Sequence, residues 1–332
     1  MKNKKLDFND KTILITGGAG FIGSNLAFYF QENYPKSNIV VFDCFRNEDL
    51  FPNGNLKSFG HYKNLIGFLG DVICGNINNN DDLSLLNDYK FDYIFHQAAI
   101  SDTRVYDQEI IINTNVNSFY KLIEIAKKNK ASLIYASSAA VYGSLPSPQT
   151  LGKESPENPY GYSKYAMDKI ADKYRSLNQE INIVGLRYFN VYGHNEFYKG
   201  KTASMVIQLG HQILNGNAPR LFENSNKIFR DFIHINDVVQ ANIKACNTNG
   251  TFNVGTGKPR SFQDIADILQ NQLETDLGTE YFPNPYEGYQ FHTQADITQS
   301  KEILNFNPEV SLEEGIKAYI PEIKLLNKAI NS

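Results

Sequence analysis

The sequence predicts an α/β protein: a doubly wound parallel sheet of the Rossmann type with a smaller C-terminal substrate part. Three observations carry this. Short β-rich runs alternate with helical patterns through the first half of the chain, which is the signature of βαβ units. A glycine triplet, Gly17, Gly20 and Gly23, follows the first run and opens a helical pattern. An acid, Asp43, closes the second run about 20 residues past Gly23, the spacing of a ribose ligand.

The elements follow in order. Residues 12–16 (TILIT) form a buried-strand run and 20–33 a helix. A second strand covers 38–42 (NIVVF), and a third, weaker one lies within 64–74. The fourth is 91–96 (FDYIFH). Residues 110–130 carry apolar positions at helical spacing. A fifth strand covers 132–136 (SLIYA) and a sixth 181–187. Right-handed crossovers between such strands give the doubly wound order. The second half is less regular, with loops around 192–201 and 283–288. Helices are expected near 204–215, 261–272 and 311–323. Residues 1–187 then hold a cofactor and 188–332 mainly a substrate, with some later segments returning to the first part.

The 332 residues are 42% hydrophobic and 20% charged, with a net charge of −4, the profile of a soluble globular protein. That charge gives no reason to expect nucleic acid or an anionic membrane as a partner. Residues 1–11 are polar and lack an apolar h-region, so no signal peptide is expected. No apolar run approaches the ~20 residues that span a bilayer. Cys44, Cys74 and Cys246 form an odd, widely spaced set. They read as reduced thiols of a cytoplasmic protein. The six histidines show no HxxxH or HExxH pattern, and no metal site is expected.

The glycine loop runs Thr16-Gly17-Gly18-Ala19-Gly20-Phe21-Ile22-Gly23. Glycines there let the backbone turn tightly beside a pyrophosphate, which the helix N-terminus then binds. Asp43 favours NAD, because its charge would repel a 2′-phosphate. Arg46, three residues on, could pair with such a phosphate, so NAD and NADP both stay open on these residues. Asn76 and Ile77 follow the third strand, where an adenine edge would be read. Gln97, Ala98 and Ala99 follow the fourth, where small residues let the chain pass close to the pyrophosphate. His96 reads as a structural residue.

Tyr160 and Lys164 stand four residues apart, on one face of a helix. A phenol titrates near pH ~10, so acting as a base near pH 7 needs about three units, or ~4 kcal/mol. A fixed ammonium and a cationic nicotinamide ring supply that kind of stabilisation. Alone, such a pair is commonly a solvated surface pair, and the glycine loop is what changes its meaning.

These stretches, with Tyr135-Ala136-Ser137-Ser138-Ala139-Ala140-Val141-Tyr142-Gly143, resemble the extended short-chain dehydrogenase/reductase family. Within it they resemble the nucleotide-sugar epimerases, over residues 12–319. RYFNVYG at 187–193, KGKTAS at 199–204 and LFE at 221–223 extend the likeness. RDF at 230–232, FNVGTG at 252–257 and YQFHTQAD at 289–296 carry it through the second half. The resemblance implies a Ser138, Tyr160 and Lys164 triad, with Ser138 bonding the reacting oxygen and Lys164 holding the nicotinamide ribose. Lys199 falls where the family carries a second acid/base. Asn190 and Arg230 fall at diphosphate contacts, Leu221 and Phe222 beside the base, and Ser204 and Tyr289 among further substrate contacts. The implied cofactor is NADP, with NAD as the alternative. The implied ligand is a nucleotide sugar and the implied assembly a homo-oligomer. Two departures stand out: Asn76 replaces a usual Asp, and 45–62 is longer than in the family.

The implied chemistry fits the residues. A secondary alcohol carbon is not acidic, so inversion proceeds by transient oxidation to a planar ketone and hydride return to its other face. Three rivals remain. A UDP-hexose 4-epimerase would share the triad but not need Lys199. A 4,6-dehydratase needs an Asp-Glu pair where this chain has Ala139 and Ala140. A non-catalytic cofactor-binding sensor shares the fold but usually loses the Tyr or Lys.

Overall fold

The computed structural model describes residues 6–177, 180–285 and 290–331. The chain builds a doubly wound, seven-stranded parallel sheet. Its strands are β1 (Thr12–Thr16), β2 (Asn38–Asp43), β3 (Asp71–Cys74), β4 (Tyr93–His96), β5 (Ser132–Ser138), β6 (Ile183–Tyr188) and, much later, β11 (Gly250–Val254). Between β6 and β11 run β7 (Asn190–Tyr192), β8 (Arg220–Phe222), β9 (Phe229–Arg230) and β10 (Phe232–His234). β12 (Arg260–Ser261) and β13 (Glu280–Phe282) come last. The sheet order is β11-β6-β5-β4-β1-β2-β3, with β7–β10, β8–β13 and β9–β12 as separate pairs.

The period-2 alternation of the strands sends alternate residues to opposite faces. Ile13, Ile15, Ile39 and Val41 pack into one core with α1 (Phe21–Asn33) and α7 (Ile235–Ala245). Leu14, Val40 and Phe42 join the other, with α2 (Asn80–Ser84), α4 (Ser118–Asn129) and α5 (Pro159–Leu177). Burial on both faces is why these strands read as continuous apolar runs. A third core gathers α6 (Met205–Leu214), α8 (Phe262–Leu273) and α10 (Leu312–Asn331) around Leu209, Leu269 and Ile316. The short α9 (Thr298–Leu304) packs beside β11.

The weak third strand expected within 64–74 is its last four residues, Asp71–Cys74, and residues 62–65 form a 3₁₀ turn. That turn is held by the His61 ring accepting from Lys63 N (3.1 Å) and by Asn64 Nδ2 donating to the Ala19 carbonyl (3.1 Å). Other expectations need correction. The helix read over 110–130 is α3 (Gln108–Ile111), a π-helical stretch (Ile112–Asn117) and α4 in succession. The motif at 252–257 begins inside β11 (Gly250–Val254), which was not expected as a strand. The helix over 311–323 continues to Asn331.

Candidate active site

Pro159 opens α5, where its missing N–H costs nothing and its φ suits a helix. Gly161 then lets α5 lie against the turn after β5: a Cβ there would stand 2.5 Å from the Ala140 carbonyl oxygen. Ser138 ends β5 and caps that turn, accepting from Ala140 N at 3.1 Å. Ser138, Tyr160 and Lys164 thus face one cleft of about 540 Å³. Lys199, from the loop between β7 and α6, lines the same cleft. Its ammonium stands 5.5 Å from the centre of the Phe21 ring.

Burial holds the Tyr160 phenol above its ordinary value, and the Ser138 hydroxyl beside it pulls the other way. Burial brings Lys164 down to about 8, against the pull of Asp168. Lys164 Nζ lies 5.9 Å from the centre of the Tyr160 ring. The protein's own charges therefore do not ionise the phenol. The descent toward pH 7 expected from the sequence needs a further positive charge near the hydroxyl.

The rest of the cleft fits a dinucleotide. Gly17 takes φ +69°, and a Cβ on it would stand 2.6 Å from Ala98 N. The loop and the turn after β4 are that close because neither carries bulk. α1 begins with no side-chain cap and no acid in its first turn, leaving free N–H groups and a positive end for an anion. Gly17, Gly20, Phe21, Ile22 and Gly23 line the cleft. So do Asp43, Asn76 and Ile77, and Gln97, Ala98 and Ala99. Asp43 accepts from Ala19 N (3.0 Å) and Phe45 N (2.8 Å), so its carboxylate also braces the glycine loop.

Other sequence-predicted residues lie elsewhere. Arg46 is not on the cleft wall; its guanidinium donates to the Tyr198 carbonyl. Asn190 sits between Phe189 and Val191, which line the cleft. Ser204 precedes α6 and donates from Oγ to Glu196 (2.7 Å). Leu221 is buried in the third core, and Phe222 packs edge-on against Phe282 (5.0 Å). Arg230 is buried and donates to the Phe229 (2.9 Å) and Gln290 carbonyls. Tyr289 lies outside the described residues. His96 is buried, bonded to Thr16 Oγ1 (2.8 Å) and pushed down to about 3 by burial, so it stays neutral.

Three residues escaped the sequence reading. Asn115, in the π-helical stretch, accepts from Ile100 N and donates to the Ile100 carbonyl and Ser163 Oγ, each at 2.9 Å. It pins the turn after β4 to α5 one residue before Lys164. Asp168, one helical turn beyond Lys164, accepts from Tyr135 (2.8 Å), Ser137 (3.0 Å) and Arg187 (2.9 Å). Glu196 is fully buried beside Ser204. A polar residue inside a predicted helix or loop was the available signal for each, and it does not mark burial. Among the described residues, no group of three His, Cys, Asp or Glu side chains is placed to hold a metal ion.

A glycine loop and a Ser-Tyr-Lys cluster on one cleft define a nucleotide-dependent redox fold. The sequence matches the NAD dependent epimerase/dehydratase family over residues 13–255, and the chain belongs to that family. It is 37% identical over 316 residues to the ADP-L-glycero-D-manno-heptose-6-epimerase of Brachyspira hyodysenteriae, covering 92% of this chain and 96% of that one. The crystal structure of the Helicobacter pylori ADP-L-glycero-D-manno-heptose-6-epimerase superposes with a TM-score of 0.88 at 48% identity, covering 98% of this chain and 99% of the other. A UDP-glucuronic acid 4-epimerase from Bacillus cereus, in complex with UDP-glucuronic acid and NAD, has a TM-score of 0.80 at 27% identity over 95% of this chain and 99% of that one.

Proposed function

We propose that the protein interconverts ADP-D-glycero-D-manno-heptose and ADP-L-glycero-D-manno-heptose by inverting C6″, a step toward the heptose of the lipopolysaccharide core. The observation that carries this is Lys199 on the same cleft as Ser138, Tyr160 and Lys164. A nicotinamide dinucleotide held there by the glycine loop, Tyr160 and Lys164 would supply the hydride acceptor and donor for a transient oxidation at C6″. In one direction the Tyr160 phenolate takes the C6″ hydroxyl proton, with Lys164 as its electrostatic support and Ser138 bonding the reacting oxygen. After the ketone turns over, its oxygen faces Lys199, whose ammonium gives it a proton. In the other direction the two residues exchange roles. The hydroxyls of the two epimers occupy different positions, so a second acid/base is useful.

The cofactor in this reading is NADP. Lys57 and Ser58 line the Asp43 end of the cleft and supply the cation and hydroxyl that a 2′-phosphate needs. Arg46, three residues past Asp43, is a further cation for that phosphate. Residues 1–187 act as the cofactor-binding part and 188–332 mainly as the substrate-binding part, the third core being the hydrophobic centre of the latter. The assembly is a homo-oligomer, and the site of action the cytoplasm. Among the described residues, no helix is long and apolar enough to cross a membrane.

The test incubates the protein with ADP-D-glycero-D-manno-heptose and follows C6″ by NMR. An equilibrium mixture of both epimers is expected. No interconversion, with turnover of a UDP-hexose instead, would replace this reading with a 4-epimerase. Cofactor released on denaturation and identified by mass spectrometry decides between NADP and NAD.

A further inference from the structure

The loop that carries Lys199 is short and irregular, yet one side chain holds it closed. The chain leaves β7 at Tyr192, turns at Gly193, and passes through the 3₁₀ stretch Phe197–Thr202 before entering α6. Glu196 stands at the inside of this turn, with no exposed surface. Its carboxylate accepts from Gly193 N (3.2 Å) at one end of the loop. At the other end it accepts from Ser204 N and Ser204 Oγ, both at 2.7 Å. The Glu196 backbone carbonyl accepts from Lys199 N (3.0 Å), and the Lys199 carbonyl accepts from Thr202 Oγ1 (2.9 Å). Both ends of the loop and the lysine it presents are thus tied to a single residue.

We propose that Glu196 is the positioning residue of Lys199: it closes loop 193–204, fixes where the lysine enters the cleft, and places a buried negative charge three residues before it. This rests on the reading of Lys199 as the second acid/base. The charge has a place to be negative, because the start of α6 is a positive dipole end and Ser204 N points at it. Burial pushes the Lys199 ammonium toward losing its proton, and Glu196 opposes that. Burial raises Glu196 in turn, opposed by Lys199 and the Ser204 bonds. The other titratable groups facing the carboxylate are the hydroxyls of Tyr192 from β7, held neutral by burial and by Asp237, Glu313 and Glu196, and of Tyr319 from α10, held neutral by burial and by Glu196 and Glu322. His194 and Glu322 form their own pair at 2.5 Å. An acid that must also act as a base needs a proton affinity set from both sides, and this pair sets it.

The test compares Glu196→Gln, Glu196→Asp and Lys199→Met with the parent protein, reading bound cofactor, melting temperature, and kcat and KM against pH in both reaction directions. Glu196→Gln keeps an oxygen for the backbone donors and loses the charge. It should retain cofactor and lower kcat by about ten- to a hundredfold, with KM changed less. The pH limb that is basic in one direction and acidic in the other should move to lower pH by about one unit. Glu196→Asp, which keeps a retracted charge, should move the limb the same way by less, and it carries the test if Glu196→Gln does not fold. An unmoved limb in folded, cofactor-bearing protein overturns the inference. A fully active Lys199→Met overturns the parent reading instead, and an inactive Lys199→Met with an unmoved limb overturns only the role of Glu196.

Discussion

The two lysines of the cleft sit in opposite kinds of structure. Lys164 stands on the second turn of a 19-residue helix and is 2% exposed. Lys199 stands on a six-residue 3₁₀ stretch that includes Gly200 at φ +56°. Each has a buried carboxylate within a turn of it, Asp168 for Lys164 and Glu196 for Lys199. Asp168 is embedded in the sheet network: it takes bonds from Tyr135, Ser137 and Arg187, and Arg187 goes on to Glu154 (2.8 Å) and the Tyr142 hydroxyl (2.9 Å). The Glu196 carboxylate accepts from its own loop and from the start of α6. The first lysine is fixed by the fold as a whole, and the second by local closure. A site that binds cofactor on one side and accommodates a turning substrate on the other has a use for that asymmetry.

The largest effect that tests the comparison is on turnover. Tyr160→Phe and Lys199→Met should each lower net epimerisation by ~10²–10⁴-fold, the range for loss of a general acid or base. Both should keep bound cofactor. A fully active Lys199→Met would reduce the site to its α5 side.

Stability should divide the two sides next. Asp168→Asn leaves the buried Arg187 with only part of its charge compensation and should cost ~3–5 kcal/mol in chemical denaturation. A loss below ~1 kcal/mol would show that the sheet network does not depend on this carboxylate.

The pH dependence separates the lysines further. Lys164 releases its proton at about 8 in the cofactor-free protein, so its support for the phenolate fades above that pH. Replacing it with arginine, which keeps its charge, should remove a basic limb of cofactor binding near pH 8. Retention of that limb would assign it to another group.

The smallest effect concerns acid stability on the α5 side. Burial, with the Lys164 charge, pushes His96 down to about 3 in the fold, against 6.5 for a histidine in the unfolded chain. Between those values the unfolded chain binds more protons, so stability falls as pH drops from 6.5 toward 3. His96 contributes at most ~1.4 kcal/mol per pH unit to that slope. His96→Gln should flatten the slope by that amount, and an unchanged slope would mean that the histidine is protonated in the fold.

How much was legible in the sequence follows the same division. The strands of the first half are buried on both faces, so their apolar runs stood out, and the glycine loop followed from steric need. Tyr160 and Lys164 were legible because a regular helix converts spacing into geometry. Lys199 was not legible from spacing at all; only the resemblance of KGKTAS to the family singled it out. Asp168 and Glu196 went unread because nothing local says whether an acid will be buried; that depends on what the fold brings against it. β11 was missed for a related reason. Its five residues (GTFNV) lack a long apolar run, and they become a strand because the edge of β6 is there to pair with.

That late return of the chain bears on how the protein is made. β6 ends at Tyr188, and its partner β11 starts only at Gly250. On a ribosome, the sheet therefore emerges with β6 unpaired along one edge until residues 250–254 have been translated. Such an edge is a template for wrong pairing. Nascent chains stalled before Gly250 should be the species that chaperones hold and proteases cut, even though the glycine loop and Tyr160 have long since left the exit tunnel.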